Sequence, residues 1–323
     1  MENIVLITPE IITLTILNVL FFLFASLAFY FSVRILLFYD ANATTQTQYK
    51  LEKQSYLIAT IIKFIFYIKI PLFIFFIFTL DKIATILPGA MCGAGVVNAT
   101  VYGTPLLLLK ILNLYIFAYW IVLNSEDMKS QESKYLRLKF LLFCFAYILL
   151  VVEIVTQIVM FFSIDVNSVV DCCGAIFSTT NGTYLSTILS LKPLYLLSTF
   201  YGIFLFLIVS YFIKNRYIFS LLNAMFLIVS LISLIAYFGT YIYELPTHHC
   251  PFCLLQKDYN YIGYFLYIFL FIGTFYGLLV GLIAFNKKEL ELRYRTSLLF
   301  NLLYILLVSY FPIAYYLKNG VFL

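Results

Sequence analysis

The sequence predicts an all-α, polytopic integral membrane protein with about eight transmembrane helices and both termini on the extracytoplasmic side. Of its 323 residues, 64% are hydrophobic and 11% are charged, and the mean hydropathy is +1.02. A soluble domain cannot bury that much apolar surface, so a lipid bilayer is the expected environment. The chain has no phosphate-binding loop, hydrolytic triad or nucleic-acid-binding motif, and no nucleic-acid partner is expected.

Eight apolar segments are long enough to span a bilayer, and they lie at about residues 12–38, 56–80, 105–124, 139–163, 193–213, 217–244, 261–285 and 296–317. The first residues, Met1-Glu2-Asn3, carry no basic charge. We therefore expect the first segment to be a retained helix rather than a cleaved signal peptide. We expect these spans to form a single transmembrane domain over residues 1–323.

The loops alternate in charge, and this alternation predicts the orientation. The connections after the first, third, fifth and seventh spans, with their flanks, hold thirteen basic residues: Arg34, Lys50, Lys53, Lys129, Lys134, Arg137, Lys139, Lys214, Arg216, Lys287, Lys288, Arg293 and Arg295. The opposite side holds four: Lys82, Lys192, Lys257 and Lys318. Because cytoplasmic loops are enriched in Lys and Arg, the first set is predicted to be cytoplasmic.

The cysteines concentrate on the predicted outer side. Five of the six lie in outward-facing connections: Cys92, Cys172, Cys173, Cys250 and Cys253. Only Cys144 lies inside a span, where a small core or lipid-facing role is expected. Disulfides form on the oxidising side of a membrane, so this distribution favours a bacterial inner (plasma) membrane with the cysteine loops facing the periplasm or the outside.

The densest chemistry is in residues 247–258, Thr-His-His-Cys-Pro-Phe-Cys-Leu-Leu-Gln-Lys-Asp. A C-x-x-C turn brings two sulfurs, here those of Cys250 and Cys253, close enough for a disulfide. The seventh span begins soon afterwards, so we expect the pair beside a helix N-terminus, which stabilises a thiolate. His248 and His249 are candidates for supplying positive charge or proton transfer to the attacking thiol.

The run Cys250-Pro251-Phe252-Cys253-Leu254-Leu255-Gln256-Lys257 resembles the active-site turn of the DsbB-type membrane thiol oxidases. In that family a basic residue beside the bound quinone occupies the position of Lys257, although it is usually Arg. The order of elements is also similar to the vitamin K epoxide reductase family, in which a loop cysteine pair precedes the C-x-x-C. Here Cys172 and Cys173 would be that pair, and residues 139–285 would form a four-helix redox bundle.

These resemblances imply a membrane thiol–disulfide oxidoreductase that passes electrons from extracytoplasmic cysteines to a quinone. An extracytoplasmic thiol protein would be the electron donor. Electrons would enter through Cys172, Cys173 or Cys92, pass to Cys250 and Cys253 by thiol–disulfide exchange, and leave to the quinone.

Two other interpretations remain open from the sequence. The first is binding or transport of a soft metal such as copper, zinc or mercury, for which the ligand candidates are His248, His249, Cys250, Cys253, Cys172 and Cys173. The second is an accessory subunit of a membrane complex, in which the cysteines form structural disulfides and the partners are the other subunits.

Two intramembrane features complete the prediction. Lys69 and Glu153 lie about fourteen residues from the cytoplasmic ends of their spans, so we expect an ion pair near the midplane. A structural pair and a proton path both fit that pair. Gly273, Gly277 and Gly281 recur every fourth residue along the seventh span. This spacing favours close helix packing over a flat ligand.

Overall fold

The computed structural model describes residues 4–40, 45–129, 135–170 and 192–323. These residues form helices and turns without any strand, which confirms the predicted all-α class. Eight helices in this part of the chain are long and apolar enough to cross a membrane, as expected of an integral membrane protein. The side of the membrane on which the termini lie stays a prediction.

The helices are numbered here in chain order. They are α1 (Pro9–Phe38), α2 (Gln46–Ala84), α3 (Gly93–Asn98), α4 (Gly103–Lys129), α5 (Leu136–Phe162), α6 (Pro193–Ile213), α7 (Arg216–Ser233), α8 (Gly239–Tyr243), α9 (Ile262–Leu282) and α10 (Lys287–Asn319). A π-helical turn, Leu234–Phe238, joins α7 to α8, so these three elements make one span. Each of the eight predicted segments corresponds to one spanning helix.

Local chemistry explains several helix ends. Proline, whose fixed φ suits the first turn of a helix, begins α1 and α6. Asn215 caps α7, because its side chain accepts hydrogen bonds from the backbone N–H groups of Tyr217 and Ile218. At the other end of the chain, α10 terminates at Gly320, which has a φ of 74°.

The chain divides into two compact units, Met1–Val170 and Asp171–Leu323. In the first unit, α1 packs against α2, α2 against α4, α4 against α5, and α5 back against α1. This ring of four helices encloses an aromatic core, in which Phe66 stacks on Phe117 at 4.3 Å between ring centroids and meets Trp120 edge-on. The first unit is therefore a four-helix bundle closed around large apolar side chains.

The second unit is also built from four spans. Its α6 packs against α7, α7 against α9, α9 against α10, and α10 against α6. The predicted redox bundle of residues 139–285 includes α5 of the first unit and α6, α7 and α9 of the second. That grouping stays a prediction.

The glycine stripe of α9 is a packing surface. A Cβ atom at Gly273 would collide with the Asn301 side chain, and one at Gly277 would collide with Asn223. The next glycine of the stripe, Gly281, lies against Ser220. The missing side chains let α9 approach α7 and α10 closely, so the packing interpretation of the spacing is confirmed.

Candidate functional site

The C-x-x-C motif forms a buried turn between α8 and α9. The Sγ atoms of Cys250 and Cys253 lie within 4.8 Å of each other. Their side chains are almost inaccessible, because Cys250 is 1% exposed and Cys253 is 4% exposed. Cys253 begins a short 3-10 turn, Cys253–Leu255, which a second one, Lys257–Tyr259, follows. The sulfurs are thus placed by a compact, irregular segment.

The seventh spanning helix begins close to the position predicted from the sequence, residue 261. Helix α9 begins at Ile262, nine residues after Cys253. Asn260 and Tyr261 have positive φ angles of 52° and 56°, and this left-handed backbone separates the 3-10 turns from the helix. The first turn of α9 nevertheless packs against the residue after Cys253, because Gly263 leaves room for the backbone of Leu254.

Two tyrosine hydroxyls fix the backbone of the turn. The hydroxyl of Tyr243, at the end of α8, donates a hydrogen bond to the carbonyl oxygen of Cys250. The hydroxyl of Tyr267, in α9, donates one to the carbonyl oxygen of Pro251 at 2.7 Å. Neighbouring carbonyls are thereby held from two different elements. Nothing in the spacing of either tyrosine along the sequence indicated this role.

The two histidines have different surroundings. His249 Nδ1 donates a hydrogen bond of 2.9 Å to the carbonyl oxygen of Ile235, which belongs to the π-helical turn. His248 packs its ring edge-on to Tyr243, with 4.3 Å between centroids, and its Nε2 atom is buried with no hydrogen-bond partner among the described residues. His249 therefore anchors the segment, whereas His248 retains an uncommitted ring nitrogen.

The remaining sequence candidates are placed as follows. Lys257 is exposed and lies in the second 3-10 turn, beside the exposed Asp258. Cys172 and Cys173 lie outside the described residues. In the first unit, Cys92 is fully buried and immediately precedes α3. The structure therefore places Cys250 and Cys253 beside the two histidines. The role of Cys172 and Cys173 stays a prediction from the sequence.

A zinc centre built from this segment would need ligands besides the two sulfurs. In the described part of the second unit, neither histidine brings a ring nitrogen within 4.8 Å of both sulfurs. The His-Cys-Cys set considered from the sequence is thus not assembled as a three-ligand site, and two thiol sulfurs are what this unit offers.

A second concentration of polar chemistry lies inside the first unit. Lys69 Nζ is 3.2 Å from Glu153 Oε1, so the predicted ion pair is present. Lys110 Nζ approaches the same oxygen at 2.8 Å, and Asn113 Nδ2 donates to Glu153 Oε2 at 2.6 Å. Asn18 Oδ1 accepts a further bond from Lys69 at 2.8 Å. One carboxylate therefore serves two ammonium groups, all of them buried.

This cluster borders a small cavity. The cavity has a volume of about 20 Å³ and is lined by the two lysines, Glu153, Gln157 and apolar residues. That volume suffices for a single water molecule. Gln157 Oε1 and Asn113 Oδ1 are buried and have no hydrogen-bond partner among the described residues. Gln157 lines the cavity, so a water molecule there would supply the donor that its oxygen needs.

Residues 4–40, 45–129, 135–170 and 192–323 thus form an all-helical membrane protein with eight candidate spans, a buried C-x-x-C turn in the second unit and a buried charge cluster in the first. The chain matches no protein-family model, no curated protein and no solved structure.

Proposed function

We propose that this protein is a membrane thiol–disulfide oxidoreductase in which Cys250 and Cys253 are the redox-active pair and a quinone is the electron acceptor. The observation that supports this most directly is the distance of less than 4.8 Å between the two Sγ atoms on a buried turn. The likeness of the turn to that of the DsbB-type enzymes, and of the order of elements to that of the vitamin K epoxide reductase family, points the same way.

The geometry suits a pair that alternates between two states. A disulfide needs an S–S distance of about 2 Å, which rotation of two cysteine side chains can reach from the observed separation. The hydrogen bonds from Tyr243 and Tyr267 hold the backbone carbonyls rather than the sulfurs. The turn can therefore keep its backbone while the sulfurs form and break their bond.

The reaction balances in two steps. A donor dithiol attacks the Cys250–Cys253 disulfide through a mixed disulfide, which leaves the donor oxidised and both cysteines as thiols. The two thiols then give two electrons and two protons to the quinone, which becomes a quinol while the disulfide re-forms. His248, with its uncommitted Nε2, is the proposed proton acceptor during these transfers.

Burial of the pair shapes the proposed electron route. Because Cys250 and Cys253 are at most 4% exposed, a large protein cannot reach them directly. We propose that an extracytoplasmic thiol protein reduces a shuttle cysteine of this chain first, with Cys172 or Cys173 as the leading candidate. Exposed Lys257 is assigned to the quinone side, and the bacterial inner membrane is the proposed location.

The rival function is soft-metal handling. Two sulfurs less than 4.8 Å apart also suit Cu(I), which accepts few thiolate ligands. The third interpretation, an accessory subunit with structural disulfides, predicts neither metal nor turnover.

The test is thiol trapping with mass spectrometry on the purified full-length protein, in the presence of a water-soluble quinone and a dithiol donor. Cys250→Ser and Cys253→Ser should each abolish quinone-linked thiol oxidation, and one of them should accumulate a mixed disulfide. Cys144→Ser, in α5 and outside the turn, is the matched control and should retain activity. Tyr267→Phe should slow turnover, because it releases the Pro251 carbonyl.

The same preparation separates the alternatives. Stoichiometric copper or zinc without quinone-linked oxidation would reject the redox proposal. Cysteines that remain oxidised whatever the quinone concentration would support the structural interpretation instead.

A further inference from the structure

A pocket opens in the second unit where α6 ends and α10 begins. It has a volume of about 340 Å³ and is lined by Lys214, Lys287, Leu290, Glu291 and Tyr294. This size falls within the range of roughly 300–1,000 Å³ that small-molecule sites occupy. The redox turn lies elsewhere in the unit and shares none of these residues, so the pocket needs its own explanation.

The charges around the pocket favour an anion. Its one carboxylate, Glu291, is engaged: Tyr211 donates to it at 2.6 Å and Arg295 at 3.0 Å, and Lys214 lies at 3.4 Å. Lys287 forms no ion pair with any carboxylate of the described residues. Positive charge therefore exceeds negative charge at the pocket wall.

The start of α10 adds to this positive field. Lys287 is the first residue of that 33-residue helix, whose N-terminal N–H groups and dipole favour a negative ligand. Lys214 reaches the same pocket from the end of α6, where its left-handed backbone, with a φ of 58°, terminates the helix. Two lysines and a helix N-terminus thus converge from separate elements.

A buried hydroxyl independently supports a polar ligand in the pocket. Tyr294 lines the pocket and is only 2% exposed. Its hydroxyl oxygen is buried and has no hydrogen-bond partner among the described residues. A buried hydroxyl is normally hydrogen-bonded, so an acceptor placed in the pocket would satisfy it.

The surroundings distinguish a lipid from a free ion. At the adjoining ends of α6 and α7, large apolar side chains are exposed: Phe212 is 74% exposed, Ile213 66% and Tyr217 63%. Such a surface suits acyl chains beside a polar pocket. The positive-inside prediction assigns this end of the bundle to the cytoplasmic leaflet, where anionic lipids concentrate.

We propose that this pocket binds the phosphate headgroup of an anionic phospholipid, with Lys214 and Lys287 as its cationic contacts and the Tyr294 hydroxyl as a hydrogen-bond donor. The acyl chains would lie along the apolar ends of α6 and α7. This proposal is independent of the redox chemistry proposed for the C-x-x-C turn.

The test uses the full-length protein in nanodiscs of phosphatidylcholine with or without phosphatidylglycerol, followed by native mass spectrometry of the lipid that stays bound after transfer to detergent. The wild type should retain phosphatidylglycerol in preference to phosphatidylcholine. The double variant Lys214→Gln/Lys287→Gln should bind phosphatidylglycerol roughly 30-fold more weakly, and each single variant about five-fold more weakly. Tyr294→Phe should also weaken retention while keeping the ring that packs against Phe219.

Lys318→Gln is the matched control, because Lys318 pairs with Glu244 away from the pocket. It should leave lipid retention unchanged. Equal retention of the two lipids by the wild type, or an equal loss in the control, would overturn the proposal. So would equal protection of the protein against heating by millimolar inorganic phosphate and by phosphatidylglycerol, since that result would indicate a site for free phosphate rather than for lipid.

Discussion

The charge cluster of the first unit makes a sharp prediction about Glu153. The substitution Glu153→Leu would leave Lys69 and Lys110, which are 5% and 8% exposed, without a counter-charge inside the bundle. Removing one partner of a buried ion pair typically costs about 3–5 kcal/mol. Because two ammonium groups depend on this carboxylate, we expect the loss of folding stability to lie at the upper end of that range.

Two companion variants make the reasoning quantitative. Lys110→Met keeps the Lys69–Glu153 pair and removes the excess positive charge, so its loss should stay within about 1.5 kcal/mol. The double variant Lys69→Met/Glu153→Leu would restore stability if Lys69 and Glu153 formed an isolated pair. Since Lys110 also contacts Glu153, that double variant strands a lysine and should remain poor. Stability should recover only when Lys69, Lys110 and Glu153 are all replaced by apolar residues.

The assay is equilibrium unfolding of the full-length protein in mixed micelles, followed by circular dichroism and by tryptophan fluorescence. Trp120, the single tryptophan, lies in the core of this unit and reports on it directly. The reasoning fails if Glu153→Leu unfolds at the same denaturant concentration as the wild type. It also fails if the Lys69/Glu153 double variant is as stable as the triple variant, because Lys110 would then need no counter-charge.

The remaining predictions concern helix packing and orientation. Gly277→Ala should destabilise the second unit by about 1–3 kcal/mol, because the added Cβ would collide with Asn223. Gly202→Ala, where a Cβ meets no atom within 4 Å, is the matched control and should be neutral or slightly stabilising. Val101→Cys should react with a membrane-impermeant maleimide in intact cells above the wild-type background, whereas Lys50→Cys should react only after permeabilisation. The reverse labelling pattern would invert the topology.

Much of the fold could be predicted because a membrane-spanning helix is recognisable from a long run of apolar residues. Continuous apolar runs located all eight spanning helices, since the bilayer requires each to satisfy its own backbone. Helix ends were less predictable. The polar Gln46–Ser55 stretch belongs to α2, although hydropathy alone begins that span at about residue 56. Hydropathy detects the part of a helix that lies in lipid, and it does not report where hydrogen bonding continues into water.

The charge cluster shows why a site is harder to derive than a span. Equal depth pointed to Lys69 and Glu153, and they do meet. Lys110 was missed because it lies near the start of its span, where a lysine can snorkel to the surface. Its long side chain extends to Glu153 instead. The sequence did not predict the roles of Asn18 and Asn113. The function of an asparagine in an apolar helix becomes evident only when its hydrogen-bond partner is known.

The first unit links its helices through buried charged groups, whereas the second unit links its helices through neutral ones. The use of neutral groups matters for the C-x-x-C turn. Asn223 Oδ1 accepts hydrogen bonds from Ser297 at 3.1 Å and Asn301 at 2.9 Å, and this links α7 to α10 against the glycine face of α9. The two tyrosines whose hydroxyls hold the backbone of the turn belong to the same part of the unit. Tyr243 lies in the span that α7 begins, and Tyr267 lies on α9. A shift of α7 against α9 would therefore move one hydroxyl relative to the other and strain the Cys250–Pro251 peptide between them. A network of neutral groups resists such a shift without placing a charge beside the proposed redox pair. The packing of uncharged amides on glycines would thus hold the geometry of the bundle fixed while the proposed redox pair changes state.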